Sequence, residues 1–145
     1  MTKSVKDIMT TRLQTIGMSE TAKDAAKKMV DKNVSSLVVI DDDNQTVGII
    51  TERDITRGVC IHDVASKDFK IHHLMSSLLA TIDPNSSAET AANHMLQNKV
   101  RHLIVKDGDR LVGIITASNF IDYLDEQLTQ DDPNARVLRT LKDEV

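Results

Sequence analysis

The sequence predicts an α/β fold in which a short strand, a helix, two strands and a second helix follow one another, twice over. Three observations predict it: an internal repeat, a helical apolar period in each copy, and two closely spaced β-rich runs after each helix. Setting residues 5–41 above residues 71–107, a constant offset of 66, gives 12 identities in 37 positions. Met9 falls on Met75, Leu13 on Leu79, Thr15-Ile16 on Thr81-Ile82, and Asp41 on Asp107. One residue is then lost, the offset becomes 65, and Val47-Gly48-Ile49-Ile50-Thr51 falls on Val112-Gly113-Ile114-Ile115-Thr116. Matches in one order over so long a stretch mark a duplication.

The elements follow in order. Residues 15–16 begin a short strand. Thr21 and Ser87 suit helix N-caps, because a hydroxyl accepts a free backbone N–H. Ala22, Ala25, Ala26, Met29 and Val30 then recur at i, i+3, i+4, i+7 and i+8, the pattern of one helix face, and Ala88, Ala91, Ala92, Met95 and Leu96 repeat it. The small alanines permit close approach to a sheet or another helix. Runs at 37–40 and 46–50, and again at 103–105 and 111–115, flank polar turns and read as hairpins, with Gly108 able to take positive φ. A short helix should follow Thr51 and Thr116, the first ended by Gly58. The domain plan is repeat 1 at 3–58, a linker at 59–70, repeat 2 at 71–126 and a tail at 127–145. In the tail, Asp132-Pro133 either starts a helix with Val137, Leu138, Leu141 and Val145 on one side, or the segment is a frayed charged end.

The composition fits such a fold. Hydrophobic residues make up 40% of 145 residues, enough for a core, while aromatics are 2%. The core must therefore be aliphatic, and a flat ligand would be gripped by Ile, Val and Met more than by ring stacking. A net charge of −4 lacks the basic excess that generic nucleic-acid binding uses. One cysteine, Cys60, excludes an intrachain disulfide and a Cys-based zinc cluster. The longest apolar runs, such as 37–40, are four residues, far short of a bilayer span, and the N-terminus lacks an apolar signal core. The expectation is a cytoplasmic protein with no membrane and no nucleic-acid partner.

Asp7-Ile8-Met9-Thr10, the Thr15-Ile16 segment, the Ala-rich helix, Ser36-Leu37-Val38-Val39-Ile40-Asp41 and Gly48-Ile49-Ile50-Thr51-Glu52-Arg53-Asp54 together resemble a CBS domain. His73-Leu74-Met75-Ser76, Arg101-His102-Leu103-Ile104-Val105-Lys106-Asp107 and Gly113-Ile114-Ile115-Thr116-Ala117-Ser118-Asn119 resemble a second copy. The resemblance spans about residues 3–126 and implies a stand-alone tandem CBS pair, or Bateman module. It further implies pseudo-two-fold packing with two clefts, frequent assembly into homodimers, and adenosine ligands such as AMP, ADP, ATP or S-adenosylmethionine.

Residues 51–54 follow a buried strand and open a helix, where free N–H groups and the helix dipole favour a phosphate. The Thr51 hydroxyl can join them, and Asp54, one turn on, can accept from a ribose diol. The resemblance assigns those roles to the matching Thr and Asp. The alternative is structural: Thr51 caps the helix and Asp54 sits in its first turn. The crossed clefts of related modules imply one nucleotide-binding set of Ile49, Thr51, Arg53 and Asp54 with Thr81, Ile82, Pro84, Val100, Arg101 and His102. There Ile49, Ile82 and Val100 would sandwich a base, the backbone at 81–83 would read its edge, and Arg101 and His102 would either meet phosphates or form an exposed strand end. A second, weaker cleft would use Thr15, Ile16, Met18, Val34, Ser35, Ser36, Ile114, Thr116 and Asn119. Asn119 stands where the acid is expected and Ser118 where Arg53 stands, so the clefts should be unequal.

Other candidates read as structural. His72-His73 lack further converging ligands, so no metal site is expected. Cys60 has no paired base, and Met9 and Met75 should pack. No catalytic residue and no catalytic cofactor is expected. The sequence thus points to a regulatory module that binds an adenosine nucleotide and reports to an effector protein by a change of conformation or assembly. The alternative is a dimerisation scaffold with no physiological nucleotide, supported by the altered motif around Asn119.

Overall fold

The computed structural model describes residues 3–77, 80–128 and 133–144. In chain order its elements are α1 (Val5–Ile8), β1 (Thr15–Gly17), α2 (Ala22–Lys32), β2 (Ser36–Ile40), β3 (Thr46–Thr51), α3 (Glu52–His62), β4 (Thr81–Ile82), α4 (Ala88–Asn98), β5 (His102–Asp107), β6 (Arg110–Thr116), α5 (Ala117–Gln127) and α6 (Pro133–Glu144). Short 3-10 turns at Ser66–Asp68 and Ile71–His73 lie between α3 and β4. The chain divides into two compact units: Leu13–Leu79, and Met1–Arg12 together with Ala80–Val145. Leu79, the repeat partner of Leu13, and the tail residues Asp132 and Val145 lie outside the described residues.

In the unit of residues 13–79, β1 pairs parallel with β2 and β2 antiparallel with β3, in the order β1-β2-β3. Helix α2 begins where Thr21 accepts from Asp24 N while Asp24 Oδ2 accepts from Thr21 N at 3.0 Å. This reciprocal box satisfies donors that the first turn leaves open. The helix ends at Asn33, whose φ of 53° lets its N–H turn back onto Met29 O and Val30 O. Ala22, Ala25 and Met29 are buried, but Val30 is 80% exposed, and its counterpart Leu96 is 76% exposed. The buried face of each helix is narrower than its apolar period. At about 100° per residue, Ala25, Met29 and Ala22 fall within about 60° of arc, and Val30 falls a further 80° round. Met29 and Ala25 pack with Ile16, Leu37, Val39, Ile50 and Ile71.

The bonds to Asp24 fix its titration. The Thr21 backbone N–H, and after it the Thr21 hydroxyl, hold its carboxyl below the ordinary aspartate value. Asp7 is lowered likewise by the Ser4 hydroxyl and then the Ser4 N–H. A depressed folded-state pKa stabilises the fold above the unfolded value, about 4, and loses that contribution as pH falls through the folded value. Acid titration of Asp24→Asn should accordingly show a shallower loss of melting temperature below about pH 4 than the parent. Curves that stay parallel down to the acid limb would count against this role for Asp24.

The other unit repeats the plan with β4, α4, β5 and β6, in the sheet order β4-β5-β6. Its core is Val5, Ile82, Ala91, Met95, Leu103, Val105 and Ile115. Both hairpin turns contain a left-handed residue, Asn44 at φ 59° and Gly108 at φ 63°. Helix α6 follows, with Arg139 Nε 3.3 Å from Asp125 of α5; Val137 and Leu141 on α6 are exposed.

The compact units do not follow the sequence repeats. The leading segment of each repeat closes the body of the other. Val5 N donates to Ser86 O at 2.8 Å and Lys6 N to Pro84 O at 3.0 Å, and Thr10 exchanges backbone bonds with Ile114. At the same offset, Ile71 N donates to Glu20 O at 2.8 Å and His72 N to Met18 O at 3.2 Å, and Ser76 exchanges bonds with Ile49. Met9 and Met75 do pack, and against glycine. A Cβ on Gly113 would lie 2.6 Å from Met9 Sδ, and one on Gly48 would lie 2.9 Å from Met75 Sδ. Gly58 departs from expectation. It does not end α3, which runs on to His62; it is buried within the helix, where a Cβ would meet Leu74 Cδ2 at 1.9 Å. Close approach explains this glycine, and the left-handed cap falls to Asp63 at φ 51°.

Candidate functional site

In each unit the sheet brings the matched residues to one end. Ser36 lies opposite Thr51 across β2 and β3, and His102 lies opposite Thr116 across β5 and β6. Thr51 caps α3: its hydroxyl accepts from Asp54 N at 3.2 Å, and Asp54 Oδ2 accepts from Thr51 N at 2.9 Å. Glu52 N is bonded to Ser35 O at 3.0 Å. Of the free N–H groups expected for a phosphate, these bonds leave Arg53 N in that turn. The Arg53 side chain is exposed, Asp54 and Thr51 are half-buried, and Ile49 is buried beside them.

Asn119 fits the same box through its amide. Its Oδ1 accepts from Thr116 N at 2.9 Å and from Thr116 Oγ1 at 3.1 Å, and its N donates back to Thr116 Oγ1. Its Nδ2 donates to Thr10 Oγ1 at 3.3 Å. Ala117 N is bonded to Arg101 O at 3.0 Å, the counterpart of the Glu52 bond. Beside Asn119 lies an open recess of about 200 Å³, lined also by Lys3, Asp7, Ile8, Asp122, Tyr123 and Glu126. Its single lysine is already 3.0 Å from Glu126. Carboxylates outnumber cations there, which disfavours an anionic group.

Each set of residues named from the sequence draws on both units. Ile49, Thr51, Arg53 and Asp54 stand in the unit of residues 13–79, as do Thr15, Ile16, Met18, Val34, Ser35 and Ser36. Thr81, Ile82, Pro84, Val100, Arg101 and His102 stand in the other, with Ile114, Thr116 and Asn119. Pro84 is buried and its carbonyl is engaged by Lys6, while Thr81 and Arg101 are exposed. Sequence reasoning missed two participants. Thr10 is one; the matched hydroxyls Thr10 and Ser76 were a usable signal. Lys28 is the other: its Nζ donates to Thr15 O, and nothing in its charged surroundings sets it apart from Lys27.

A family model for the CBS domain matches residues 5–60 and again residues 67–126. The chain belongs to the CBS-domain family. CBS pairs are regulatory modules that generally bind adenosine ligands. The CBS domain-containing protein YhcV of Bacillus subtilis is 33% identical over 112 residues, 77% of this chain and 79% of that one. An uncharacterized 17.7 kDa protein of Acidianus ambivalens is 36% identical over 117 residues, 80% of this chain and 70% of its own. The crystal structure of a conserved protein from Pyrococcus horikoshii superposes with a TM-score of 0.82 at 27% identity, covering 90% of this chain and 98% of the other. Two enzymes, the homoserine O-acetyltransferase of Methanococcus vannielii and the L-aspartate semialdehyde sulfurtransferase of Methanosarcina acetivorans, match this chain over segments that are 25% and 23% of their lengths. Among the described residues, no helix is long and apolar enough to cross a membrane, and no three His, Cys, Asp or Glu gather as a metal site.

Proposed function

We propose that this CBS pair is a non-enzymatic regulatory module that binds adenosine nucleotides of the AMP, ADP or ATP type in clefts between its repeats. Binding shifts conformation or assembly, in a cytoplasmic homodimer that reports to an effector protein. A ligand moves such an equilibrium only through unequal affinity for its two states. The observation that carries the reading is the Thr51–Asp54 turn. Its carboxylate uses Oδ2 in the cap, so Oδ1 retains acceptor capacity for a ribose diol, and Arg53 adds an exposed cation and a backbone donor. Ile49, Thr51, Arg53 and Asp54 then work with Thr81, Ile82, Pro84, Val100, Arg101 and His102. The cleft of Thr15, Ile16, Met18, Val34, Ser35, Ser36, Ile114, Thr116 and Asn119 is the weaker one: Ser35, Ser36 and Ser118 bring no charge to phosphates, and the Asn119 amide, bonded to Thr116 and Thr10, is a poorer acceptor for a ribose than a carboxylate.

A thermal-shift panel of AMP, ADP, ATP, S-adenosylmethionine and NAD tests this. A ligand at a hundred times its Kd stabilises the native state by about 2.7 kcal/mol. Asp54→Asn copies the amide already accommodated at Asn119, so it keeps the cap and isolates the charge. It should weaken nucleotide binding roughly tenfold or more, whereas Asn119→Ala should cost much less. Equal losses would remove the asymmetry. No shift with any adenosine compound would favour the second reading, a dimerisation scaffold, which the altered motif around Asn119 supports.

A further inference from the structure

Strand β1 is the outer strand of its sheet. Val38 N donates to Gln14 O, and Met18 N to Ile40 O, both at 2.9 Å. Residues 14, 16 and 18 thus turn their backbone polar groups to β2, and Thr15 and Gly17 turn theirs outward. Glu20 takes both outward groups of Gly17: its Oε2 accepts from Gly17 N at 2.8 Å, and its N donates to Gly17 O at 3.1 Å. The half-buried Lys28 of α2 takes Thr15 O through Nζ. What this edge still presents is the Thr15 N–H with an ammonium beside it, two donors side by side.

The matched edge differs. Ile104 N donates to Ala80 O at 2.9 Å, so Thr81 turns its N–H and C=O outward from β4. His94 stands where Lys28 stands, and among the described residues no side chain is bonded to Thr81 O. That edge presents a donor and an acceptor.

We propose that Lys28 sets the base preference of the β1 edge, turning it from adenine towards a 6-oxopurine such as guanine, while the β4 edge keeps the adenine complement. The proposal rests on the nucleotide-binding reading above. Adenine offers an amino donor next to a ring acceptor and so complements an N–H and C=O pair. At β1 that amino group would meet the Lys28 ammonium, donor against donor. Guanine offers O6 and N7, two acceptors on one edge, the pair to which lysine and arginine bind in nucleic acids. The Thr15 N–H and Lys28 Nζ supply the two donors.

Calorimetric titration of the full chain and of Lys28→Met with AMP and with GMP tests the assignment. The methionine keeps the aliphatic stem against the sheet and loses the charge. Lys28→His, which installs the residue of the matched position, is the second variant should the first fail to fold. GMP should bind the parent, and either variant should weaken GMP roughly tenfold while strengthening AMP or adding a second AMP site. If GMP and AMP affinities change by the same factor, or not at all, the role of Lys28 is refuted and nucleotide binding stands. If neither nucleotide binds the parent or the variants, the nucleotide reading fails, and this inference fails with it.

Discussion

Replacing Ile71 with alanine should loosen the unit formed by residues 13–79, although Ile71 opens the second sequence repeat. The side chain is fully buried and packs with Ile16, Ala25, Met29, Leu37, Val39 and Ile50. Truncating a buried isoleucine to alanine costs about 2–5 kcal/mol, through lost transfer energy and the cavity left behind. The backbone bond from Ile71 N to Glu20 O survives the substitution, so the loss is one of packing. Amide hydrogen exchange reads it locally. Leu37 and Ile50 should exchange roughly thirtyfold faster or more, the equivalent of the lower bound of that cost, while Leu103 and Ile115 hold their protection. Faster exchange confined to Leu103 and Ile115 would show that the segment closes its own repeat after all.

Gly48→Ala carries the next largest effect. A Cβ there would lie 2.7 Å from the Ser76 carbonyl oxygen and 2.9 Å from Met75 Sδ. The methionine can swing away, but the Ser76 backbone cannot, because Ile49 N donates to Ser76 O at 3.1 Å and Ser76 N donates to Ile49 O at 2.9 Å. One added methyl therefore strains or breaks a two-bond bridge at the end of the sheet that carries Thr51. Overpacking of this kind costs about 1–3 kcal/mol, which lowers the melting temperature by roughly 3–10 °C for a chain of this size. Gly17→Ala is the matched control, since its Cβ would meet only the movable Glu20 carboxylate at 3.3 Å. A Gly48 variant as stable as the Gly17 variant would show that the bridge adapts freely.

Much of the fold was readable from residues whose signals are local. Thr21, Ser87, Thr51 and Thr116 cap helices as hydroxyls before apolar periods should, with the side-chain bonds in place. Apolar runs bounded by polar turns became the two hairpins. What escaped reading depends on residues distant along the chain. Gly58 has the local look of a helix end, and only the arrival of Leu74 explains why a glycine is buried inside α3. The leading segments cross between repeats, and no periodicity within a repeat can report that. At the site, Thr51 and Asp54 were legible because their spacing puts them in one turn. Their capping bonds were also anticipated, as the structural alternative, and the cap takes Asp54 Oδ2 while leaving Oδ1. Lys28 was not legible, because its significance lies in a strand thirteen residues upstream whose outward carbonyl it meets.

The crossed segments bear on how such a chain can arise and be divided. A single repeat cannot complete itself, because Val5 is fully buried among Leu103, Val105 and Ile115, and Ile71 among Leu37, Val39 and Ile50. Two separate copies trading their leading segments would each supply what the other lacks, the logic of a domain-swapped pair. Fusion makes that trade intramolecular and so independent of protein concentration. A gene fragment trimmed at the repeat boundary therefore encodes an incomplete body, and its rescue should come from mixing it with its sister fragment.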